Sequence, residues 1–375
     1  VIIMPENTAL WLHAKRAPFS IGPAPITAPG EDEIVVRVRA VAVNPFDRAI
    51  QTMGDVITPW ITYPFVTGSD LAGEVVEIGS LVTRFRVGDR VLGYAAGSDK
   101  RRNRAAEGAF QDYVVVLAHM AAPIPDGMTF QEAAVLPLGV STAACGLFQT
   151  DFLALSPPSA TPARTGKTLL VWGGSTSVGS NAIQLAVAAG YEVITTASPR
   201  NFAYVKQLGA REVFDYRSKT VIADIIRALR GETIAGALAI GAGSAASCID
   251  IVGACTGNRF VALATPAASF DDVPAGRGRL LRLAPAAARM VAGNIRLALK
   301  ARLRGVRTKF IWGSDLIANE VGPMIFAAFL PSALAEGRFV AAPSPTVVGT
   351  GLAQIPAALE RQRQGVSATK LVVML

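Results

Sequence analysis

The sequence predicts an α/β protein in which a β-rich, barrel-like unit is joined to a second unit built on a parallel sheet. Three observations predict it. Residues 1–142 alternate apolar and polar with strand period between glycine and proline turns. From Thr168 the pattern changes to strands alternating with helices. Between the first such strand and its helix lies a turn of glycines and small hydroxyls, Gly173 to Ser177.

Along the first unit the period-two stretches are "EIVVRVRAVAVNP" from Glu33, "LAGEVVEIG" from Leu71, "RVGDRVLGY" from Arg86 and "FQDYVVV" from Phe110. Residues 95–108, "AAGSDKRRNRAAEG", are polar and basic and read as an exposed loop. Residues 129–149 show helical period, with Gln131 and Glu132 in the first turn. Residues 155–167 are proline-rich and loop-like. Strands then follow at 169–172, 192–196 and 212–215, with helices at 178–189 and 202–208 between them. Such βαβ alternation implies right-handed crossovers and a parallel sheet. "GALAIGAGS" and "NRFVALATP" read as further strands, residues 285–303 and 318–336 as helices, and "TKLVVML" as a closing strand.

Bulk composition narrows the class. A chain of 375 residues that is 51% hydrophobic holds two cores and is not disordered. No apolar run of 18 or more is present, so no membrane partner is expected. Val1 to Ser20 lacks the basic, apolar and cleavage regions of a signal peptide, so the expected location is the cytoplasm. Net charge is +8, with cations at Lys100, Arg101, Arg102 and Arg104 and again over residues 297–310. No nucleic-acid motif accompanies them, so they read as a solvated surface that favours anionic ligands. Cys145, Cys248 and Cys255 fit neither a disulfide framework nor a zinc site, and His13 and His119 read as structural.

The turn Gly174-Ser175-Thr176-Ser177-Val178-Gly179 is a phosphate cradle. Strand-end glycines admit a pyrophosphate, and a helix N-terminus supplies N–H groups and partial positive charge. Gly174 is expected to make the tight turn and Gly179 the close helix packing. An acid about 20 residues on would hold a ribose 2′-hydroxyl. Here that place reads Ser198-Pro199-Arg200-Asn201. Ser198, Arg200 and Asn201 offer donors and one fixed charge, and Tyr216 a further hydroxyl, so the expected cofactor is NADPH.

These motifs bring a family into view. Over almost its whole length the chain resembles the medium-chain dehydrogenase/reductase superfamily. The pair "GSDLAGEVVEIG" and "VGDRVLGY", then "AAVLPLGVSTA", "GKTLLVWGGSTSVGS" and "ATKLVVML", stand in that family's order. "GGSTS" and "SPRNF" point to its fungal, zinc-free, quinone-oxidoreductase-like branch, which includes trans-acting enoyl reductases serving polyketide synthases. The resemblance implies a GroES-like catalytic domain, residues 1–142 and 320–375, around a doubly wound Rossmann domain at 143–319. It places Asn44, Pro45, Phe46, Asp47, Ala264, Thr265 and Lys370 around the nicotinamide. Lys370 reads either as a phosphate ligand or as an exposed strand-edge charge.

The zinc members need a thiolate, an imidazole and a carboxylate or second thiolate around an open position. Here Asn44 stands near the cysteine position and Ser69-Asp70 where His-Glu would be, so no metal is expected. The expected reaction is NADPH-dependent reduction of the C=C bond of an α,β-unsaturated carbonyl, small or carrier-bound. Quinone reduction, or a nucleotide-binding protein that has lost or changed this chemistry, are the alternatives. The lysine and tyrosine proton donors of relatives are replaced by Arg48-Ala49 and by Gly54-Asp55-Val56. Arg48 is a candidate enolate stabiliser or a surface ion-pair partner. Thr142 is a candidate donor to nicotinamide or substrate, or a helix-buried threonine. Trp60 and Tyr63 read as substrate-cleft or core residues. Either a monomer or a homodimer is expected.

Overall fold

A computed structural model describes residues 6–266 and 279–375. The chain divides into two compact units, Val1–Leu138 with Leu316–Leu375, and Gly139–Asp315.

The first unit opens with β1 (Asn7–Leu12), β2 (Phe19–Ala24) and β3 (Glu33–Ala42), followed by α1 (Pro45–Ile57). Next come β4 (Phe65–Val66), β5 (Asp70–Ile78), β6 (Arg90–Tyr94), β7 (Tyr113–Leu117) and β8 (Ala121–Pro123). Two helices replace the single one expected at 129–149: α2 (Phe130–Ala134) and α3 (Pro137–Phe148). Pro137 has no N–H to continue a helix but suits the first position of a new one. Thr129 and Glu132 cap α2 reciprocally, the Glu132 carboxylate accepting the Thr129 N–H at 2.8 Å.

The second unit runs β9 (Lys167–Trp172), α4 (Ser177–Ala188), β10 (Glu192–Ala197), α5 (Phe202–Gln207), β11 (Glu212–Asp215) and α6 (Val221–Ala228). It continues through β12 (Thr233–Ala239), α7 (Ser244–Ala254), β13 (Thr256–Gly257), β14 (Phe260–Leu263), α8 (Arg279–Arg304) and β15 (Arg307–Phe310). Its parallel sheet has the order β11-β10-β9-β12-β14-β15, with β13 beside β12. That is the doubly wound Rossmann order, reversing direction between β9 and β12. Leu170, Ile194, Ala237 and Val261 of the sheet pack with Ile225, Ile249 and Val252 of the helices.

The chain then returns to the first unit through α9 (Val321–Pro323), a π-helical stretch Met324–Phe329 and α10 (Leu330–Ala335). One helix was expected over 318–336. Pro331 removes an N–H from the ladder, and the preceding turn widens. Last come β16 (Ser344–Thr350), α11 (Ile355–Arg363) and β17 (Thr369–Met374). The main sheet is ordered β16-β17-β3-β5-β6-β8, with β7 on β3, and a smaller one β2-β1-β4. Ile34, Val36, Leu71, Val91, Val116 and Val373 form the core of the unit.

The expected exposed basic loop is a correction. In residues 95–108, Ala95, Ala96, Asp99 and Glu107 are buried. Arg104 reaches Glu33 and Glu107 at 2.8 Å each, and Arg102 pairs with the same two acids. Arg101 pairs with Asp99 at 2.8 Å. Burial pushes the Glu33 carboxyl up, but the Gly30 amide and both guanidiniums more than offset it and leave it lowered. At Glu107 burial wins and the carboxyl is raised. The second basic run is also partly neutralised: Lys300 and Arg304 pair with Asp250, and Lys309 with Asp151. The three cysteines are free and buried. Among the described residues no helix is long and apolar enough to cross a membrane.

Candidate active site

The cradle forms where β9 runs into α4. Gly173 has φ +90°, so the left-handed turn is made there and not at Gly174, where the sequence placed it. Gly174 is needed for close approach instead: a Cβ there would lie 2.2 Å from Thr195 Oγ1. Thr176, standing at the middle-glycine position, caps α4. Its Oγ1 accepts the Gly179 N–H at 3.0 Å and donates to the Gly173 carbonyl at 2.8 Å. A Cβ on Gly179 would meet that carbonyl at 2.2 Å. Ser175, Ser177 and Val178 are half-buried around this N-terminus. Backbone hugging backbone at a helix start, beside the point where strand order reverses, fits a dinucleotide pyrophosphate.

The parallel register Ala197↔Asp215 sets the ends of β10 and β11 side by side. Ser198, just past β10, is buried, and Arg217 Nη2 donates to its Oγ at 2.9 Å. The same guanidinium lies 5.3 Å from the centre of the Tyr216 ring, which is 46% exposed. Arg200 is exposed on the following turn and Asn201 is buried. Arg217 was missed in the sequence. Its signal is the run Tyr216-Arg217-Ser218-Lys219 directly after the third strand. Asp215 is the nearest acid in that run, and its Oδ1 accepts the Arg217 N–H at 3.0 Å. These side chains form a cationic, hydroxyl-bearing rim suited to a phosphate monoester.

At the other strand ends of this unit, Thr265 Oγ1 accepts the Gly241 N–H at 2.8 Å and the Ala264 N–H reaches the Ala239 carbonyl at 2.9 Å. These contacts tie the end of β14 to that of β12. Thr142, half-buried on α3, packs on Gly313, where a Cβ would come within 2.7 Å of its Oγ1.

In the first unit four polar side chains are buried together. Asn44 begins α1, and its N–H donates to Asp47 Oδ2 at 2.8 Å. Its Nδ2 donates to Asp70 Oδ2 at 2.8 Å. Lys370 Nζ lies 2.7 Å from the same oxygen, and Asp70 Oδ1 accepts the Leu138 N–H at 2.6 Å. Lys370 is only 4% exposed, on the interior strand β17. It is therefore not an exposed edge charge: a buried carboxylate holds the ammonium.

Asp47 is fully buried, with no partner for Oδ1. Burial first, and the Asp70 charge second, raise its carboxyl from the ordinary 3.8 to about 7, against the Asn44 N–H and Lys370. The folded protein therefore keeps a proton that the unfolded chain has released. Stability from this group is fully present below the unfolded pKa and is lost as pH rises towards about 7. Between about pH 5 and about pH 8 the loss is about 3 kcal/mol. Asp47→Asn should flatten this slope in guanidinium unfolding curves at the two pH values; parallel pH dependence in wild type and variant would refute it.

Arg48, half-buried on α1, helps hold the Glu360 carboxyl of α11 down, after Arg363 and Gln364. Trp60 Nε1 donates to the Ser98 carbonyl at 3.0 Å. Tyr63 packs beside Leu12, Ile50 and Phe65, its hydroxyl enclosed without a partner, so burial and then Asp55 raise its pKa. Both aromatics thus contribute to an apolar cluster.

The donor set does not fit a metal. Asp70 has one oxygen on Lys370 and the other on a backbone N–H, and among the described residues no three His, Cys, Asp or Glu side chains gather.

Against this geometry the likenesses to known proteins are informative. The alcohol dehydrogenase GroES-like domain family matches residues 30–126, and the zinc-binding dehydrogenase family matches residues 177–269. Dehydrogenase pigH of Monascus ruber is 51% identical over 375 residues, covering 99% of this chain and 100% of that protein. Trans-enoyl reductase himH of Aspergillus japonicus is 36% identical over 374 residues, covering 98% and 97%. A mycobacterial protein solved in complex with NADPH superposes with a TM-score of 0.67 at 22% identity, covering 98% of this chain and 100% of that one. With a GroES-like unit, a Rossmann unit and relatives of such identity across its length, the chain belongs to the medium-chain dehydrogenase/reductase superfamily.

Proposed function

We propose that the protein is an NADPH-dependent, zinc-independent reductase of the C=C bond of an α,β-unsaturated carbonyl, either a small molecule or a carrier-bound thioester. The observation that carries it is the rim at the ends of β10 and β11. There Arg217 bonds Ser198 beside Tyr216 and Arg200, and no acid stands where a 2′-hydroxyl partner would be. The cradle residues Gly173 to Gly179 would hold the pyrophosphate, and Ser198, Arg200, Asn201, Tyr216 and Arg217 the 2′-phosphate. Ala264, Thr265, Asn44 and Asp47 are assigned to the nicotinamide by family position.

Bound NADPH would supply a hydride to the β-carbon, and solvent a proton to the α-carbon. With a donor set unsuited to a metal, the conjugated carbonyl must be met by hydrogen-bond donors of the chain. Thr142 Oγ1 is assigned that role. The trans-enoyl reductase relative supports this class of substrate.

The test is cofactor oxidation by purified protein offered an enone, an enoyl thioester and a quinone. We expect turnover of the first two with NADPH at least about 10-fold better than with NADH. Faster turnover of the quinone would move the assignment to quinone reduction. NADPH binding without turnover of any acceptor would remove the reductase assignment, and stoichiometric zinc would remove the metal-free one.

A further inference from the structure

Helix α8 turns an apolar side to solvent. One side of it meets the body of the second unit: Ala301 is buried there, Leu297 packs on the core, and Lys300 and Arg304 pair with Asp250 of α7. The opposite side carries Val291, Ile295, Leu299 and Leu303, exposed by 55%, 55%, 57% and 86%. Ala288 and Ala292 on that side are exposed as well. Ala288, Ala292, Ile295 and Leu299 follow one another at intervals of four, three and four residues. That is the d-a-d-a seam of a helix that packs along another helix. Water faces it here, and a continuous apolar row in water marks an interaction surface.

Charge says what covers it. In the same heptad frame Arg289 and Arg296 both fall at e, one heptad apart on one flank of the seam, and Arg302 closes its end. All three are exposed, and among the described residues none makes an ion pair, whereas Asp250 neutralises Lys300 and Arg304. From Arg279 to Arg304 the sequence has no Asp or Glu. A second copy paired antiparallel about a two-fold axis would set the arginine flank against its own like. Paired parallel, it would set those arginines against Val291 and Ala298 of the other flank. Neither supplies an acid. A helix lying in a bilayer surface turns a broad apolar face, commonly with Trp or Phe, to the acyl chains. The α8 seam is narrow and the helix has no aromatic residue.

We propose that α8 is a docking surface for an acidic amphipathic helix of a partner protein, which lays its own apolar seam on Ala288, Ala292, Ile295 and Leu299 and sets carboxylates beside Arg289 and Arg296. This surface lies wholly within the second unit and is independent of the cofactor and of the reaction.

The experiment titrates the full chain with a synthetic helix of about four heptads, leucine at a and d and glutamate at e and g, whose like charges keep it from pairing with itself. A second peptide replaces the glutamates by lysines. The wild-type chain should bind the acidic peptide with a dissociation constant below about 100 μM and the basic one more weakly. Raising salt from about 0.05 to about 0.5 M should narrow that difference. Ile295→Ser with Leu299→Ser should weaken binding at least about 30-fold. Arg289→Glu with Arg296→Glu should reverse the preference between the peptides. All four positions are exposed, and circular dichroism checks that each variant keeps its fold.

Failure to bind the acidic peptide, equal binding of both peptides, or binding that survives the paired serine substitutions would overturn the proposal. So would two results that name another occupant. One is a dimer of the chain alone in sedimentation that the serine substitutions abolish. The other is retention on phosphatidylserine-containing vesicles, stronger than peptide binding, that the same substitutions abolish.

Discussion

Arg217→Ala should weaken NADPH binding about 10- to 100-fold and leave NADH within about threefold, because a charge-assisted hydrogen bond contributes about 1.5–3 kcal/mol. The side chain is 61% exposed, so screening trims the effect, and it should shrink further in high salt. Arg200→Ala should act in the same direction with a smaller step, since none of the hydrogen bonds described here ties Arg200 to Ser198 as Arg217 is tied. Fluorescence titration of both cofactors against both variants measures this. Equal losses for NADPH and NADH would mean that Arg217 supports the fold of the rim and does not read the phosphate.

The other large effect concerns stability. Arg102→Met should cost about 3 kcal/mol in denaturant unfolding, at the lower end for breaking a buried ion pair, because Arg104 still reaches both acids. Glu33 and Glu107 are at most 4% exposed in their side chains, so neither recovers water when its partner goes. Arg104→Met should cost less, its side chain being 37% exposed. Adding Glu33→Gln to Arg102→Met should recover part of the loss, since the uncompensated charge is then gone. A loss below about 1 kcal/mol for Arg102→Met would show the cluster to be effectively solvated.

These two residues also show where sequence reading stops. Strand and helix periodicity, and the order of the family motifs, were legible because they are local and repeat. The parallel sheet and the cradle followed. Gly173 and Gly174 are adjacent and chemically identical, so only backbone geometry tells which one turns. The basic run at 100–104 looked like a surface because its partner Glu33 lies far upstream, on β3. Lys370 looked like an edge charge because the strand beside it, β16, is itself half-exposed and weakly apolar. Arg217 was overlooked because attention rested on the end of the second strand, and register then brought the end of the third alongside. Apart from the glycine turn, each miss is a pairing between positions apart in sequence, which composition does not encode.

The placement of Lys370 on β17 has a consequence for biogenesis. Residues 139–315 are continuous and can finish folding while the rest is still being translated. Asp70 must wait for Lys370, and β3 for β17 at Val372↔Ala42, until the whole intervening unit has been translated. The nascent chain thus acquires the glycine turn of β9 and α4 early and its buried counter-ion late, so a translation product cut short before β17 would leave the Asp70 carboxylate without its ammonium.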